Sequence, residues 1–236
     1  MPVETKSINP DFKIKVIRIG IEQTPIMIID DFMLDTSEVI TNACEFGQFN
    51  LASSYYPGNR ANLPRSYVVN VLQSVYLQIC QLYQIPSELN LKPQATYYSL
   101  ITRQPEELQI VQRLPHFDST QPYYFAVLHY LNDKPHGDTG FFRHRPTGFE
   151  SISPSRESIY FESASEFIRK NGDPVQAYCT QSNEHFELYD KIEYKPNRLA
   201  IYPGYLLHTT LVNPEQDIGS SPSTGRLTAN IFIDFQ

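Results

Sequence analysis

The sequence predicts a mainly β protein with flanking helices (α+β), in which many short strands form a sandwich or barrel. From Leu91 onward, short apolar segments follow one another and turn-forming residues separate them. The 16 Tyr and 14 Phe residues suit an aromatic-rich β core. Helical periodicity appears mainly before residue 90, so the N-terminal helices are expected to buttress the strands.

The chain is expected to fold as one domain over residues 1–236. Its 236 residues, 41% of them hydrophobic, are enough for one core, and all-β barrels often reach this size as single domains. Residues 1–90 are predicted to form an α/β support. Residues 91–236 are predicted to form the barrel core, with a helical insert near 155–171.

Two short strands and a helix are predicted to open the chain. Residues 13–20 and 25–33 are rich in apolar and β-branched side chains, and turn formers separate them. A helix is predicted over residues 35–46, because small polar residues that can cap a helix stand at its start. Gly47 is expected to end it.

The next segment, residues 51–66, is predicted to be a loop because of its Pro, Gly and Asn content. It also carries Tyr56 and Arg60, which are unusual in a simple connection. Two interpretations stay open at this point. The segment is either a well-packed surface loop or a lid that faces a substrate.

A longer helix is predicted over residues 66–84. Its apolar residues recur at helical spacing, which gives the helix one face for the core. The residues of this face are Val69, Leu72, Tyr76, Ile79, Leu82 and Tyr83. Ile85 and Pro86 are expected to end the helix.

The second half of the chain is predicted to supply the barrel strands. They are expected near residues 94–102, 109–116, 123–131, 140–145, 187–194, 197–203, 206–212 and 226–235. An inserted helix is predicted from Ser155 to Lys170, and Asn171 and Gly172 are expected to close it.

Charge and apolar content argue against several classes of partner. The formal net charge of −7 is unfavourable for binding nucleic acid or an anionic membrane. No apolar run approaches the roughly 20 residues that span a bilayer, and the N-terminal residues lack a signal-peptide pattern. The 3 cysteines are scattered, which indicates reduced, mostly buried thiols. We therefore expect a cytoplasmic protein.

Two stretches have the spacing His-x-Asp, which places an imidazole and a carboxylate on the same side of an extended chain. His116 and Asp118 lie at the end of a predicted strand. His136 and Asp138 lie in a run of turn formers, where a common direction of the two side chains is not assured. We favour the first pair as metal ligands and keep the second pair as a competitor.

A second imidazole would complete the two-His, one-carboxylate set that is typical of non-haem Fe(II) oxygenases. His208 lies in a predicted strand and is the best candidate. His129 is expected to point away from the barrel interior if the neighbouring Tyr130 points into it. His144 stands between two arginines, which favour an anion rather than a metal.

The last predicted strand carries an arginine that needs a partner. Arg226, Thr228 and Asn230 share one face of this strand, and apolar residues occupy the other face. A buried arginine must be paired. Its partner is either a carboxylate of the protein or a carboxylate of a ligand, which the planar guanidinium matches well.

Taken together, these motifs resemble those of Fe(II)- and 2-oxoglutarate-dependent dioxygenases of the prolyl-hydroxylase-like kind. The resemblance covers roughly residues 91–236, and the order and spacing of the motifs carry it. The motifs are HFD at 116–118, HYLND at 129–133, GDTGFF at 137–142, NRLAIYPGYLLH at 197–208 and GRLTANIFIDF at 225–235.

The resemblance implies a double-stranded β-helix, or jelly roll, with an iron site near one mouth. It implies that His116, Asp118 and His208 are the iron ligands. It also implies a 2-oxoglutarate site in which Arg226 pairs with the distal carboxylate and Tyr130 assists, with Thr228 and Asn230 nearby. The interval between His208 and Arg226 is longer than is usual in the family, which indicates a loop insertion.

The reaction implied by the resemblance is hydroxylation of a C–H bond, with O2 as oxidant and 2-oxoglutarate converted to succinate. The substrate is expected to be a small molecule or a protein side chain. Tyr56 and Arg60, together with Arg143 and Arg145, are candidate substrate-binding residues. A solvated basic strand edge is the competing interpretation for the last two.

Two other functions remain open from the sequence. One is a binding or regulatory jelly roll that holds metal without turnover. The other is a metal-dependent cupin enzyme that does not use 2-oxoglutarate. Acyl transfer has little support, because the chain has neither a nucleophile elbow nor a Cys/His signature.

Overall fold

The structure, a computed structural model, describes residues 8–52 and 55–236. The strands of this part are β1 (Ile14–Ile19), β2 (Thr24–Ile29), β3 (Asn50–Leu51), β4 (Gly58–Asn62), β5 (Leu91–Ile101), β6 (Tyr124–Tyr130), β7 (Thr139–His144), β8 (Phe186–Ile192), β9 (Leu199–Pro203), β10 (His208–Thr210) and β11 (Thr228–Phe235). The α-helices are α1 (Ser37–Phe46), α2 (Arg65–Tyr83), α3 (Glu157–Asn171) and α4 (Pro214–Asp217). The predicted β-rich class with a few helices is confirmed.

Two antiparallel sheets organise these strands. The large sheet has eight strands in the order β1-β2-β9-β6-β11-β5-β4-β3. The small sheet has three strands in the order β10-β7-β8. His116 forms an isolated antiparallel bridge with His208 at the start of β10, so the segment around His116 extends the small sheet on that side.

Strand β11 shows how the sequence separates the two faces of the large sheet. Leu227, Ala229 and Ile231 are almost fully buried in one apolar cluster. Thr228 and Asn230 point to the opposite face, because successive side chains of a strand alternate. Hydrogen bonds to β5 on one side and to β6 on the other make β11 a central strand. The large sheet therefore has an apolar face and a face with polar side chains at its centre.

Helices α1 and α2 cover the apolar face. The buried residues of α2 are Tyr67, Val68, Val71, Leu72, Val75 and Ile79. The predicted face was only partly right, because Val69 and Tyr76 are 40% and 39% exposed. The apolar residues of α2 are compatible with two different rotations of the helix about its own axis. The hydroxyl of Tyr67 finds a buried hydrogen-bond partner, His129 Nδ1, at 2.7 Å in the phase that the protein adopts.

The opposite face of the large sheet looks toward the small sheet. Phe141 and Ile192 of the small sheet belong to the same buried cluster as Ala126, Leu128 and Tyr202 of the large sheet. Burial of apolar surface between the two sheets is the term that holds them together.

The strand that was predicted over residues 109–116 is not formed. Two short 3-10 helices, Pro105–Glu107 and Ile110–Arg113, occupy this part of the chain. The side chains of Glu107 and Gln112 accept the backbone N–H groups at the two helix starts, at 2.8 and 2.9 Å. These local hydrogen bonds satisfy the backbone without a neighbouring strand, so the apolar pattern alone was misleading.

The loop that was predicted over residues 51–66 contains strand β4, which pairs with β5. Turn-forming residues are tolerated in β4 because it lies near the edge of the sheet. At Gly58, a side chain would collide with the backbone carbonyl of Leu100, so only glycine allows this close pairing. Arg60 is therefore held on a strand and not in a flexible loop.

The predicted helices at 35–46 and 155–170 are confirmed as α1 and α3. Gly172 follows α3 with φ +89, in a region of backbone conformation that favours glycine. Within the two ranges that the structure describes, no helix combines the length and apolar character needed to cross a bilayer.

The three cysteines are all free. Cys179 is buried and Cys80 is intermediate, but Cys44 is exposed, so the prediction of mostly buried thiols was wrong for Cys44. Cys44 lies on α1, on the side of that helix turned away from the core.

Candidate metal centre

Two histidines from distant parts of the chain are joined through their backbones. The N–H of His116 donates to the carbonyl oxygen of His208 at 2.9 Å, and the N–H of His208 donates to the carbonyl oxygen of His116 at 2.8 Å. The imidazole rings lie with their centroids 4.5 Å apart. Sheet pairing therefore brings the two side chains together.

Asp118 is held in place by the turn between β9 and β10. Its backbone N–H donates to the carbonyl oxygen of Gly204 at 2.7 Å. A Cβ atom on Gly204 would lie 2.6 Å from the ring of Tyr124 and 3.2 Å from the Cβ of Asp118. The absence of a side chain at position 204 thus permits the close approach of the Asp118 segment.

The three side chains converge. The Oδ1 atom of Asp118 lies 3.9 Å from Nε2 of His116, and its Oδ2 atom lies 3.7 Å from Nε2 of His208. One ligand atom from each residue lies within 4.8 Å of the other two. In the described part of the chain, this is the one group of three or more His, Cys, Asp and Glu side chains with such spacing.

The protonation of these groups suits a divalent metal. Nδ1 of His208 lies 2.8 Å from the carbonyl oxygen of Leu206; a proton on Nδ1 leaves Nε2 as a free lone pair. Partial withdrawal from bulk water, together with the nearby His208 and Arg60, lowers the pKa of His116 well below its usual value, although 48% of the side chain stays exposed. Neutral imidazole is the form that binds metals.

Asp118 gives the clearest test of whether these residues fit a metal. Its Oδ2 atom is buried and has no hydrogen-bond partner among the residues that the structure describes. Burial raises the pKa of this carboxyl group, and the charges of His208 and Arg60 oppose that shift only in part. A buried carboxylate without a partner is costly unless it coordinates a cation. The donor set and this orphaned oxygen fit a metal.

The candidate metal ligands lie in a cavity of about 730 Å³ between the two sheets. The face of the large sheet that carries polar side chains at its centre forms one wall of the cavity. Helix α3 and the 3-10 segment at 110–113 form other parts of the wall. Thr228, Asn230 and Phe232 of β11 all line this cavity. A space of this size accommodates small-molecule ligands.

Arg226 also lines the cavity and is only 2% exposed. Its Nε donates to the carbonyl oxygen of Gly137 at 2.9 Å, and its guanidinium lies over the rings of Tyr130 and Tyr194, at 5.5 and 5.8 Å from their centroids. Its Nη2 is buried, and the described residues offer this atom no hydrogen-bond partner. These observations fit a ligand carboxylate at Nη2.

A buried carboxylate stands behind Arg226. Asp217 accepts hydrogen bonds from His136 Nδ1 at 3.0 Å and from the backbone N–H groups of Gly137 and Asn213. Burial alone would raise the pKa of Asp217, but these bonds and the charge of Arg226 hold it below its usual range. The hydrogen bonds of the Asp217 carboxylate thus go to His136 and to backbone N–H groups of nearby loops. Its negative charge lies near Arg226, but the two side chains do not form an ion pair.

The structure places the other predicted co-substrate residues differently. Thr228 and Asn230 face the cavity, and Asn230 Nδ2 donates to Thr228 Oγ1 at 2.9 Å. Tyr130 lies behind the cavity wall, where its hydroxyl is 2.7 Å from Thr139 Oγ1 and its ring supports Arg226. It is Thr139 that reaches the cavity surface beside them.

Of the predicted substrate-binding residues, Tyr56 and Arg60 line the cavity. Arg143 does not line this cavity. Its guanidinium is paired with Glu150 and with Glu187, the latter at 2.6 Å, and Glu150 also accepts the backbone N–H groups of the β1–β2 turn.

Arg145 and His144 are also engaged elsewhere. Arg145 Nε donates to the carbonyl oxygen of Asn183 at 2.8 Å. His144 forms a buried pair with His185, with 3.0 Å between their Nε2 atoms. At residues 143–145, where an anion site was expected, these side chains instead contact other groups of the protein.

The competing His-x-Asp pair is separated by its turn. His136 points to Asp217, while Asp138 accepts a hydrogen bond from Lys191 Nζ at 2.8 Å and another from the backbone of Tyr194. His129 points to the helix side of the large sheet, where it meets Tyr67. Its direction, opposite to that of Tyr130, is the predicted one.

The sequence did not single out several residues of the cavity wall. They come from strands and from α3: Tyr97, Tyr124, Leu128, Thr139, Tyr160, Phe161 and Tyr202. Alternation along β5, β6 and β9 could have indicated which of the strand residues face inward. The residues of α3 carried no comparable signal.

The fold and the site together define an antiparallel β protein in which two imidazoles and one carboxylate can hold a metal ion beside a buried arginine. The chain belongs to the family DUF6445, a family of unknown function whose model matches residues 10–233. The search of curated proteins found no match.

The solved structures that resemble the chain do so at low sequence identity. HygX from Streptomyces hygroscopicus, with nickel and 2-oxoglutarate bound, is 12% identical with a TM-score of 0.47, covering 90% of this chain and 84% of HygX. The same protein with nickel, 2-oxoglutarate and hygromycin B gives a TM-score of 0.48 at the same identity and coverage. AviO1 from Streptomyces viridochromogenes Tue57 is 8% identical with a TM-score of 0.40, covering 85% of this chain and 80% of AviO1. These values describe a distant likeness.

Proposed function

We propose that this protein is an Fe(II)- and 2-oxoglutarate-dependent oxygenase that hydroxylates a C–H bond of a small molecule or a protein side chain. The observation that carries the proposal is the convergence of His116, Asp118 and His208 in one cavity with Arg226, whose Nη2 atom has no described partner. Two imidazoles and one carboxylate are the ligand set of non-haem Fe(II) oxygenases.

We infer that the two sheets form a double-stranded β-helix. The segments β5, β6, β9 and β11 are neighbours in the large sheet in the order β9-β6-β11-β5. The His116 segment, β10, β7 and β8 are neighbours in the small sheet in that order. The chain therefore crosses repeatedly from one sheet to the other, as a jelly roll requires.

The residues of the site divide the work between metal and co-substrate. His116, Asp118 and His208 would hold Fe(II), and Arg226 would bind the distal carboxylate of 2-oxoglutarate. The bound iron and co-substrate would supply the oxidising chemistry, in which O2 gives one oxygen atom to the substrate and one to succinate, with release of carbon dioxide.

The chain itself supplies orientation and a dry environment. Tyr130 and Tyr194 stack against Arg226 and fix the plane of its guanidinium, and the Gly137 carbonyl fixes Nε. Arg226 lines the cavity, and its Nη2 has no hydrogen-bond partner among the described residues. Leu128 and Phe232 also line the cavity, and their apolar surface would limit access of water to the bound co-substrate.

The experiment that tests this proposal measures metal binding and co-substrate turnover together. Purified protein reconstituted anaerobically with Fe(II) should develop a weak visible absorption band when 2-oxoglutarate is added. On admission of O2, it should release succinate slowly even without substrate. His208→Ala should lose the visible band, the metal and succinate release.

His185→Gln is the matched control, because it replaces another buried histidine and leaves the three proposed ligands intact. Circular dichroism should show that both variants keep their secondary structure. Metal binding without succinate release would support the non-catalytic binding module instead. Equal metal binding by wild type and His208→Ala would overturn the proposal.

A further inference from the structure

Arg60 is a second cation in the cavity, separate from Arg226. It lies on β4 opposite Ser99 of β5, and Ser99 lies opposite Thr228 of β11. Two strand spacings thus separate Arg60 from Thr228, a distance of about 10 Å between backbones. Arg60 and Arg226 therefore serve two different positions in the same cavity.

The guanidinium of Arg60 has no anionic partner in the protein. Across residues 8–52 and 55–236, no carboxylate lies within ion-pair distance of it, and its Nε is buried without a hydrogen bond. The rings of Tyr56 and Tyr97 lie 4.2 and 5.2 Å from its central carbon. These rings fix the plane of the guanidinium and stabilise its charge, but they supply no acceptor for its N–H groups.

Arg60 is also close to the candidate metal ligands. It lines the same cavity as His116, Asp118 and His208. An anion bound at Arg60 would therefore sit within one small molecule's length of the proposed iron. A recognition group at this distance from the metal suits a substrate, because it orients the rest of the molecule toward the reacting centre.

Part of the cavity wall is apolar. Three exposed residues of the cavity wall are Tyr55, Val111 and Phe161, at 69%, 44% and 51% exposure. Exposed apolar residues that line a cavity are typical of ligand-binding surfaces. Besides Arg226, the cavity thus combines a cation that lacks an ion-pair partner among the described residues, Arg60, with apolar surface.

We propose that Arg60 binds an anionic group of the substrate, a carboxylate or a phosphate, and that the substrate also carries an apolar or aromatic body. This inference rests on the proposed function, in which Arg226 binds 2-oxoglutarate. The charge-assisted pair with Arg60 then selects acidic molecules over their neutral analogues.

Calorimetric titration of the metal-free protein tests this proposal without any turnover. The probes are 3-phenylpropionate, its neutral amide 3-phenylpropionamide, and 2-phenylethyl phosphate. Wild type should bind at least one of the two anions about tenfold or more tightly than the amide, as expected for a charge-assisted hydrogen bond. The stronger anion identifies the carboxylate or the phosphate as the substrate group.

Three variants locate the anion. Arg60→Gln should remove the preference for the anion, Arg60→Lys should keep part of it, and Arg226→Gln should keep it in full. A preference that survives Arg60→Gln, or one that Arg226→Gln abolishes, would overturn the assignment. Failure of wild type to prefer either anion at millimolar concentration would do the same.

The outcome is independent of the proposed oxygenase activity, because these titrations need neither iron nor 2-oxoglutarate. If the protein binds no metal but shows the anion preference at Arg60, the proposed function fails while the Arg60 assignment stands. If succinate release is observed without an anion preference, the Arg60 assignment fails while the proposed function stands.

Discussion

The carbonyl oxygen of Gly204 accepts the backbone N–H of Asp118 at 2.7 Å, and the Cα of Gly204 lies where any side chain would push Asp118 away. One residue of the β9–β10 turn thus sets the position of the only carboxylate among the proposed metal ligands. The conformation of the β9–β10 turn therefore affects the position of a proposed metal ligand in another segment of the chain.

Gly204→Ala should therefore weaken metal binding. The added Cβ would lie 2.6 Å from the Tyr124 ring, so the turn must shift and carry Asp118 with it. We expect a loss of about 1–3 kcal/mol in unfolding free energy from overpacking. Metal affinity should fall about 10- to 100-fold, as for other residues that orient a ligand.

Gly219→Ala is the matched control for this variant, because an added Cβ there meets only the Cα of Gly225 at an ordinary 3.7 Å. Urea unfolding gives the stability of each protein, and competition with a metal-sensitive dye gives the affinity. Equal metal affinity in Gly204→Ala and Gly219→Ala would show that the turn does not position the carboxylate.

Asp118→Asn should stabilise the metal-free protein while it removes metal binding. The buried Oδ2 lacks a described partner, and burial raises the pKa of the carboxyl group, so its charge opposes folding in the absence of a cation. Relief of about 1 kcal/mol would raise the melting temperature by about 2–4 °C. Thermal unfolding with and without Ni(II) measures both effects. A normal Ni(II)-induced rise in Asp118→Asn would exclude the carboxylate as a ligand.

Arg226→Lys should weaken 2-oxoglutarate binding about 10- to 100-fold, because an ammonium group lacks the planar pair of donors that fits a carboxylate. Titration of 2-oxoglutarate into the Zn(II)-loaded protein measures this change. Arg198→Lys is the matched control, since Arg198 pairs with Asp30 near the protein surface. Zn(II) affinity should stay unchanged in both variants. Unaltered 2-oxoglutarate affinity in Arg226→Lys would reject its role.

Stability should fall in mildly acidic solution because of the His144–His185 pair. The pKa of both residues is lowered to about 4, for His185 by burial and for His144 by burial together with the neighbouring His185. Unfolded histidine titrates near 6.5, so between about pH 6.5 and pH 4 the unfolded chain binds more protons than the folded chain. The unfolding free energy is therefore highest above this window and decreases through it, by on the order of 1–3 kcal/mol per histidine.

Urea unfolding at pH 7 and at pH 4.5 measures this decrease. His185→Phe should make the dependence on pH shallower, because one titrating group is gone and the ring of Phe167, stacked at 4.0 Å, can pack on phenylalanine as well. An equally steep dependence in this variant would assign the acid sensitivity to other groups.

The short-range part of the site could be predicted from the sequence. His116 and Asp118 are two residues apart, and Arg226 and Thr228 share a face of one strand, so local geometry was enough to propose them. His208 needed a further assumption about the fold. The backbone bridge between His116 and His208 depends on the pairing of two remote segments, which no local pattern determines.

The partners of charged residues could not be predicted in this way. Arg143 looked available because its neighbours in sequence are basic, but Glu150 and Glu187 neutralise it once the chain folds. Arg60 looked as if it lay in a loop, yet β4 holds it toward the cavity. Whether a cation is free depends on contacts between elements, and these appear only in three dimensions.

The fold itself followed the apolar pattern except where local polar bonds replaced it. The segment at 109–116 has the apolar content of a strand, but the side chain of Gln112 accepts the backbone N–H of Gln109 and favours a 3-10 turn there. For helix α2, the hydrogen bond between Tyr67 and His129 helped to select the rotational phase. The periodicity of apolar residues in the sequence gives no information about such specific side-chain hydrogen bonds.

The reciprocal hydrogen bonds between the backbones of His116 and His208 mean that the geometry of the ligands does not depend on the ion. A protein whose ligands gather only around the bound metal collapses when the metal is stripped or oxidised. Here the strands keep both imidazoles in register throughout. We therefore expect the apoprotein to remain folded and to rebind a metal ion repeatedly, so that loss of the ion would not require synthesis of a new chain.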